Sequence, residues 1–316
     1  MSRAILVTNA TGKQGRGVVD ALVAANSSSA SSPNYLILAA TRGANSRGAQ
    51  SLASKSSAVR LVEGNLDNVP ALFAAAKTAA SNDDATLWGV FSMQVAMGKG
   101  TTSEGEVRQG KAVIDESIKA GVEHLVYSSV DRGGDAKSWE NPTDVPHFRS
   151  KHEIELYLRD ATAGGQSSMK WTILRPVIFM DNMAPGFETK VLLTSLRDTV
   201  KDKPLQWVAT KDIGVAAELA FSNQDAWHAK AVGLASDELT FDQLSKVFEK
   251  VTGKPAPTTF GFFGTLLKYG VAEMGVMINW FRDVGYGADI AKNRQFNPEG
   301  QTLEAWLKTS AFAKQE

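Results

Sequence analysis

Short apolar segments alternate with longer helical segments through the first half of the chain, and this alternation restricts the fold more than any other feature. Strands and helices that alternate in this way form a parallel sheet, because each helix returns the chain to the same edge by a right-handed crossover. The apolar spacing predicts strands at residues 5–8, 36–41, 60–63, 87–92, 124–128 and 171–175, and helices at 15–25, 50–54, 69–80, 104–120 and 151–160. The sequence therefore predicts an α/β fold with a doubly wound parallel sheet of the Rossmann type.

The alternation is less regular after residue 176. The apolar spacing there predicts strands at 205–209 and 231–235 and helices at 212–221, 240–252 and 260–281. We expect both strands to return to the edge of the sheet. The helix at 260–281 is expected to pack in the core of a lobe or to cover a substrate. These patterns predict a large first domain at residues 1–176 and a smaller, mostly helical lobe at 177–316 that holds a substrate or a partner.

A glycine-containing loop follows the first predicted strand and opens the first predicted helix. A helix N-terminus offers backbone N–H groups and a favourable dipole to a pyrophosphate, and glycine lets the backbone approach the ligand closely. After the first strand of a parallel sheet, such a loop indicates a dinucleotide site in the first domain. The residues expected to bind the cofactor in this loop are Thr8, Asn9, Thr11, Gly12, Lys13, Gln14 and Gly15.

Several motifs of the chain occur in the order typical of one known family. The loop Asn9-x-x-Gly12-x-x-Gly15 is similar to a G-x-x-G-x-x-G loop, and residues 63–67, 126–130, 145–151, 174–182 and 212–214 are similar to later motifs. On these motifs the chain resembles the NmrA-like group of atypical short-chain dehydrogenase/reductases over most of its length. The resemblance implies a Rossmann fold that binds a nicotinamide cofactor, with Asn65 beside the adenine. Asn9 replaces the first glycine of the loop, and Asn tolerates a positive φ better than other non-glycine residues.

The end of the second predicted strand favours NADP(H) over NAD(H). An NAD site places Asp or Glu there, to accept hydrogen bonds from the ribose hydroxyls. Here the strand ends in Ala40-Thr41-Arg42, with Arg47 five residues further on. No carboxylate stands at that position to repel a 2′-phosphate, and Arg42 can bind the phosphate through two hydrogen bonds. The sequence therefore predicts NADP(H) as the cofactor.

The resemblance also implies where a reaction would take place. Short-chain reductases protonate a carbonyl oxygen with a Tyr four residues before a Lys, assisted by a Ser. In this chain the Lys position is Lys151, the Tyr position is His147, and the Ser position is Ser128 or Ser129. Imidazole can act as a general acid, and Lys151 is expected to contact the nicotinamide ribose with or without a reaction. The candidate catalytic residues are therefore Lys151, His147 and Ser129.

Two functions are compatible with this pattern. In the first, the protein is an NADPH-dependent reductase of a small hydrophobic carbonyl or enone compound, and Lys151 donates or relays the proton. Side chains that could line its substrate site are Met93, Gln94, Phe179 and Met183. In the second, the protein is a non-catalytic sensor that reports the redox state of NADP(H) to a protein partner. The absence of the Tyr favours the second function, and the retained Lys, Ser and His favour the first.

Composition excludes several other classes of protein. The 34 Lys and Arg residues balance 34 Asp and Glu residues, so no excess of positive charge favours direct binding to nucleic acid or to an anionic membrane. The chain has no Cys, which excludes disulfides, thiolate metal sites and cysteine nucleophiles, and its four His residues lack the spacing of a metal site. Charged residues interrupt the longest apolar segment, so no membrane span is expected. We expect a cytoplasmic protein, with the nucleus as the alternative.

Overall fold

The computed structural model describes residues 2–28, 34–95, 98, 100–165, 167–264 and 272–313. Seven strands form one sheet, in the order β3-β2-β1-β4-β5-β6-β9. The first six strands pair in parallel, which confirms the predicted doubly wound sheet. Their bounds are Ser2–Val7 for β1, Tyr35–Thr41 for β2, Val59–Glu63 for β3, Ala85–Ser92 for β4, His124–Ser128 for β5, Lys170–Pro176 for β6 and Lys230–Leu234 for β9.

Helices connect these strands, and five of the six α-helices described between β1 and β6 match those that the apolar spacing predicts; Asp135–Glu140 is the additional one. The bounds up to β6 are Lys13–Ser28 for α1, Arg47–Ala53 for α2, Val69–Ser81 for α3, Ser103–Lys119 for α4, Asp135–Glu140 for α5 and Pro146–Ala161 for α6. The later helices are Phe187–Val200 for α7, Thr210–Ser222 for α8, Gln224–Trp227 for α9, Phe241–Thr252 for α10, Ala272–Asp283 for α11, Ile290–Phe296 for α12 and Leu303–Thr309 for α13. Side-chain caps fix several helix starts. At α10 the Thr240 hydroxyl accepts the Gln243 N–H and the Gln243 side chain accepts the Thr240 N–H, which forms a capping box.

The chain folds into two compact units, each built from several segments. The first consists of Met1–Ser129, Ser150–Arg175 and Ile213–Val232. It contains the first six strands and the glycine loop. Every residue of β2 is buried, as expected for a strand of a parallel sheet that is covered on both faces. These segments differ from the continuous domain of residues 1–176 that the sequence suggests, since residues 130–149 belong to the second unit.

The second unit consists of Val130–Arg149, Pro176–Asp212 and Gly233–Glu316. It contains a small sheet in the order β10-β8-β7, with bounds Ile178–Phe179 for β7, Leu205–Val208 for β8 and Asp237–Leu239 for β10. Around this sheet lies an aromatic core that includes Phe148, Trp207, Phe248, Trp280, Phe281 and Trp306. The remainder of the unit is mostly helical.

The two later strands predicted from the sequence lie in different sheets. The segment at 231–235 overlaps β9, which lies at the edge of the main sheet beside β6. The segment at 205–209 does not return to that sheet. It forms β8, which pairs antiparallel with β10 and parallel with β7. The expectation for 205–209 is therefore wrong, because a short apolar run indicates that a strand is buried without indicating which strand it pairs with.

The helix predicted at 260–281 is described only in part. Residues 272–281 of the predicted helix lie in α11, where Ile278 and Phe281 are buried in the core of the second unit. Residues 265–271 lie outside the described part of the chain. Within the described residues, no helix has the length and apolar character that crossing a membrane requires.

Candidate cofactor site and active site

The glycine loop is a tight turn between β1 and α1. Asn9 has a φ of +49°, and its carbonyl oxygen accepts a hydrogen bond from the backbone N–H of Gly12 at 2.9 Å. The positive φ confirms that Asn at this position adopts a left-handed conformation, which glycine would otherwise supply. A Cβ atom on Gly15 would lie 2.3 Å from the Asn9 carbonyl oxygen, so this position has no room for a side chain. The first turn of α1 thus begins directly after a compact loop.

Two contacts hold this loop in place. The Thr8 hydroxyl is fully buried; it accepts a hydrogen bond from the backbone N–H of Met93 at 2.8 Å and so joins the ends of β1 and β4. The Arg16 guanidinium donates to the carbonyl oxygens of Thr11 and Gly48, both at 3.1 Å. The sequence does not mark Arg16 as part of this site, because nothing in its position on α1 indicates that it reaches α2. Thr8 therefore has a structural contact in addition to its predicted role at the cofactor.

Arg42 lies directly after β2, at the position that the sequence analysis assigns to a 2′-phosphate. Its side chain is exposed and makes no hydrogen bond or ion pair with any described residue. Arg47 is exposed as the first residue of α2, which Ser46 caps. Glu63 is the last residue of β3 and lies in register with Thr41. The pattern of an NAD site does not point to it, because that pattern places the acid on the second strand. The Glu63 carboxylate accepts a hydrogen bond from the Ala44 N–H at 3.3 Å, so an acid from the next strand stands beside the Arg42 loop.

Asn65 follows β3 and is exposed. Its side-chain oxygen accepts hydrogen bonds from the backbone N–H groups of Asp67 at 2.9 Å and Asn68 at 3.2 Å. The oxygen thus caps the short 3₁₀ helix Leu66–Asn68. The amide NH2 group makes no hydrogen bond to a described residue, so it remains the part of Asn65 that could donate to a ligand.

Ser128 and Ser129 have different surroundings at the end of β5. The Ser128 hydroxyl donates to the side-chain oxygen of Gln14, in the first turn of α1, at 2.6 Å. The backbone N–H of Ser129 donates to the Leu174 carbonyl at 2.7 Å and continues the sheet. Ser128 thus joins the strand end to the glycine loop, and the catalytic assignment of Ser129 stays a prediction.

Gln94 follows β4 and so lies at the carboxyl ends of the strands of the main sheet, as Ser128 does. It is 3% exposed, and its side-chain nitrogen donates to the Ser92 hydroxyl at 3.0 Å. Its side-chain oxygen has no hydrogen-bond partner among the described residues. An unsatisfied buried acceptor is costly, on the order of 1–3 kcal/mol. A ligand that donates a hydrogen bond at this edge would remove that cost.

Lys151 is held by a buried acid. Its ammonium lies 2.6 Å from Oε1 of Glu106, whose side chain is 0% exposed against 11% for the lysine. The Ser150 hydroxyl donates to the other oxygen of the same carboxylate. Glu106 lies in the first turn of α4, where a negative charge is also favoured by the helix dipole. Glu106 is separated from Lys151 by 45 positions, so the sequence does not indicate this pair.

Close packing of α4 against α6 brings this carboxylate to the lysine. A Cβ atom on Gly110 would lie 2.5 Å from the side chain of Ile154, so the glycine is what allows the helices to approach. Gly110 and Ile154 each lie one turn beyond the ion pair on their own helix. An exposed pair, Lys111 and Glu153, joins the same two helices at 2.6 Å. The lysine position is thus fixed by an interface within the first unit.

His147 also has a carboxylate partner. Oε1 of Glu273, in the first turn of α11, lies 2.6 Å from the ring Nδ1 and accepts the backbone N–H of His147 at 3.1 Å. Because a carboxylate only accepts hydrogen bonds, this contact places a proton on Nδ1. His147 can therefore donate a proton from Nε2 only in its cationic form.

Two further predicted lining residues lie in the second unit. Met183 is buried in its core, and Phe179 is half-buried at the end of β7. Across the described ranges, no group of three His, Asp or Glu side chains is placed to bind a metal ion.

Comparison with known proteins identifies the relatives of this chain. The profile of the NmrA-like family matches residues 1–307. An NmrA-like family domain-containing oxidoreductase from Aspergillus hancockii is 26% identical over 299 residues, which cover 86% of this chain and 83% of that protein. These matches extend across both compact units.

Solved structures share the fold. A triphenylmethane reductase from Citrobacter sp., crystallised with NADP(H), has a TM-score of 0.66 at 17% identity and covers 96% of this chain and 98% of its own. NmrA, a negative transcriptional regulator crystallised with NADP, has a TM-score of 0.64 at 18% identity, over 98% of this chain and 94% of its own. At this identity the likeness shows the fold alone.

Proposed function

Because the chain belongs to the NmrA-like family, we propose that it binds NADP(H) on the first unit and uses the cofactor to reduce a small hydrophobic carbonyl or enone compound. The observation that carries the cofactor assignment is the glycine loop. Asn9 has a positive φ and Gly15 has no room for a side chain, so the backbone of this turn can be approached closely at the N-terminus of α1. Such a turn suits a pyrophosphate.

Arg42 supports NADP(H) as the form that is bound. Its exposed guanidinium has no partner among the described residues, so binding a 2′-phosphate would break no existing ion pair. A bidentate guanidinium–phosphate contact is among the stronger charge-assisted hydrogen bonds. The unsatisfied side-chain oxygen of Gln94 gives a second point at which a bound ligand fits this edge of the sheet.

For the reaction, the chain has to supply a proton. Bound NADPH supplies a hydride to the electrophilic carbon of the substrate. As the π bond of a carbonyl substrate breaks, its oxygen takes a proton, for which we assign the Lys151 ammonium as donor. One of the three N–H groups of Lys151 is directed at Glu106, and the other two make no hydrogen bond to a described residue. Solvent returns the proton to the amine after turnover. His147, held by Glu273, is the second candidate donor.

The test is NADPH oxidation across a panel of aromatic ketones, quinones and enones. The double variant Glu106→Gln/Lys151→Met removes the ammonium without leaving a buried carboxylate unpaired. We expect the turnover number of this variant to fall at least about a hundredfold, which is the usual contribution of a general acid to the rate. Lys111→Met, which removes an exposed lysine from the same helix pair, is the matched control and should keep full activity.

Other results would reassign the proton donor. If the double variant keeps its activity and His147→Gln loses it, the histidine is the donor. If neither variant loses activity, both assignments are wrong.

A non-catalytic sensor is the second candidate function. The pairing of Lys151 with a buried carboxylate favours it, because the charge of the lysine is already balanced within the first unit. The relation to NmrA, a negative transcriptional regulator, points the same way. If the protein is a sensor, we expect tight NADP(H) binding and no turnover of any compound of the panel. We also expect a protein partner that is recovered with only one redox form of the cofactor.

A further inference from the structure

Glu63 places a negative charge at the end of β3, next to the loop that follows β2. It is the last residue of its strand, is exposed, and lies in register with Thr41. The backbone N–H of Gly64 donates to the Thr41 carbonyl at 2.9 Å, so the two strands remain paired up to this point. Arg42 is the next residue after Thr41. An acid and a base thus stand at the ends of adjacent strands.

The Glu63 carboxylate is fixed on the loop and does not neutralise the arginine. One of its oxygens accepts the Ala44 N–H at 3.3 Å. The carbonyl of Ala44 accepts a hydrogen bond from the Gln50 side chain at 2.8 Å, so this part of the loop is held on both sides. No ion pair between Glu63 and Arg42 occurs in the structure. Both charges are therefore available to a ligand at the end of β2.

The two charges act in opposite directions on the two nicotinamide cofactors. Arg42 attracts a 2′-phosphate, whereas a carboxylate repels it. A carboxylate also accepts hydrogen bonds from the free ribose hydroxyls of NAD(H), as the acid at the end of the second strand does in NAD sites. Here the acid comes from the third strand, and it therefore has no signature at the usual sequence position.

We propose that Glu63 is a specificity-determining residue, which limits the preference for NADP(H) and gives the site residual affinity for NAD(H). This inference rests on the proposed cofactor function. It concerns the ratio of the two dissociation constants rather than either constant alone. Removing the charge should raise that ratio in favour of NADP(H).

The test is titration of NADPH and NADH against the full-length chain and Glu63→Gln. Gln keeps an oxygen that can accept the Ala44 N–H, so the loop contact is preserved while the charge is lost. We expect the ratio of the NADH to the NADPH dissociation constant to rise on the order of fivefold, as the loss of one exposed like charge near a bound phosphate implies. The rise should shrink in high salt, which screens exposed charges. Adenosine 2′,5′-bisphosphate against 5′-AMP should show the same change, because these probes isolate the 2′-phosphate.

Glu116→Gln is the matched control. Glu116 is paired with Lys119 in the last turns of α4. That helix end leads to the start of β5, so the pair lies at the amino ends of the strands, opposite the carboxyl ends where Glu63 lies. The Glu116→Gln variant should leave the ratio unchanged.

Three results would overturn the proposal: an unchanged ratio in Glu63→Gln, a lower ratio, or an equal change in Glu116→Gln. A wild-type chain that binds neither cofactor would instead refute the proposed function, so the two failures are distinguishable.

Discussion

The buried pair of Lys151 and Glu106 should be strongly coupled: removing either partner alone should destabilise the fold far more than removing both. The two groups are 2.6 Å apart, with side chains 11% and 0% exposed. Removing one partner leaves the other charge buried and uncompensated, at a cost of roughly 3–5 kcal/mol. We therefore expect Lys151→Met to lower the free energy of unfolding by about 3 kcal/mol or more. Glu106→Gln should cost somewhat less, because its amide oxygen can still accept from the ammonium while its NH2 group donates to the Ser150 hydroxyl oxygen.

The double variant removes both charges together and should recover much of the loss. Because a neutral pair of similar volume carries no desolvation penalty, we expect it to be destabilised by only about 1 kcal/mol. The coupling energy from the double-mutant cycle is then at least about 2 kcal/mol. Urea unfolding, followed by both circular dichroism and tryptophan fluorescence, measures each corner of the cycle.

An exposed pair on the same two helices provides the control cycle. Lys111 and Glu153 are also 2.6 Å apart, but their side chains are 33% and 54% exposed. Exposed pairs contribute about 0–1 kcal/mol. If the coupling energy of the Lys151 pair does not exceed that of the Lys111 pair, the reasoning about burial is refuted.

Three further predictions concern the first unit. Burial lowers the pKa of His124 to about 3, so near pH 5 the unfolded protein binds a proton at this residue that the folded protein does not. The free energy of unfolding should therefore fall by about 2 kcal/mol between pH 7.5 and pH 5. His124→Gln should lose this part of the pH dependence in urea unfolding, and an unchanged pH dependence in the variant would contradict the prediction. Gly15→Ala places a Cβ 2.3 Å from a carbonyl oxygen, so it should destabilise the fold by about 1–3 kcal/mol and abolish NADPH binding. In Gly43→Ala the added Cβ meets nothing within 4 Å, so this variant should bind NADPH normally. An equal thermal shift of the two variants with NADPH would refute the packing argument. Asn9→Gly should be at least as stable as the wild type, and Asn9→Ala should be about 1 kcal/mol less stable, because the φ of +49° suits glycine better than alanine. If urea unfolding shows Asn9→Ala to be the more stable variant, the assigned conformation is contradicted.

The chemistry of His124 explains the sign of its pH effect. Its Nε2 lies 2.9 Å from the Thr172 hydroxyl, which itself donates to the Trp227 carbonyl at 2.8 Å. The hydroxyl must therefore accept from Nε2, which leaves Nδ1 as the unprotonated nitrogen. Nδ1 is buried and has no hydrogen-bond partner among the described residues. A proton added there would gain no acceptor, so the neutral ring is favoured in the folded state.

Local sequence patterns are sufficient to predict the parallel sheet of the first unit. The strand–helix alternation has one stable arrangement, the parallel sheet, and β1 to β6 form it. Asn9 was expected to adopt a positive φ from its position in the loop, and it does. These features depend on residues close together in the sequence, where spacing and backbone preference carry the information.

Long-range pairing could not be predicted in the same way. Glu106 and Glu273 reach Lys151 and His147 across 45 and 126 positions, and nothing in the sequence distinguishes these carboxylates from others on helix faces. The strand at 205–209 was assigned to the wrong sheet for a similar reason, since its partners are chosen by tertiary packing. Glu63 is not indicated by the sequence pattern of an NAD site, because that pattern places the acid on the second strand.

The most direct test of the account is the affinity of the chain for NADPH and NADH, measured by titration against the wild type and Arg42→Ala. We predict that the wild type prefers NADPH and that the variant loses about ten- to a hundredfold in NADPH affinity, as the loss of a charge-assisted guanidinium–phosphate contact of roughly 1.5–3 kcal/mol implies. NADH affinity should stay nearly the same, because NADH has no 2′-phosphate. A preference for NADH, or an NADPH affinity that the Arg42→Ala variant retains, would contradict the assignment of this site to NADP(H).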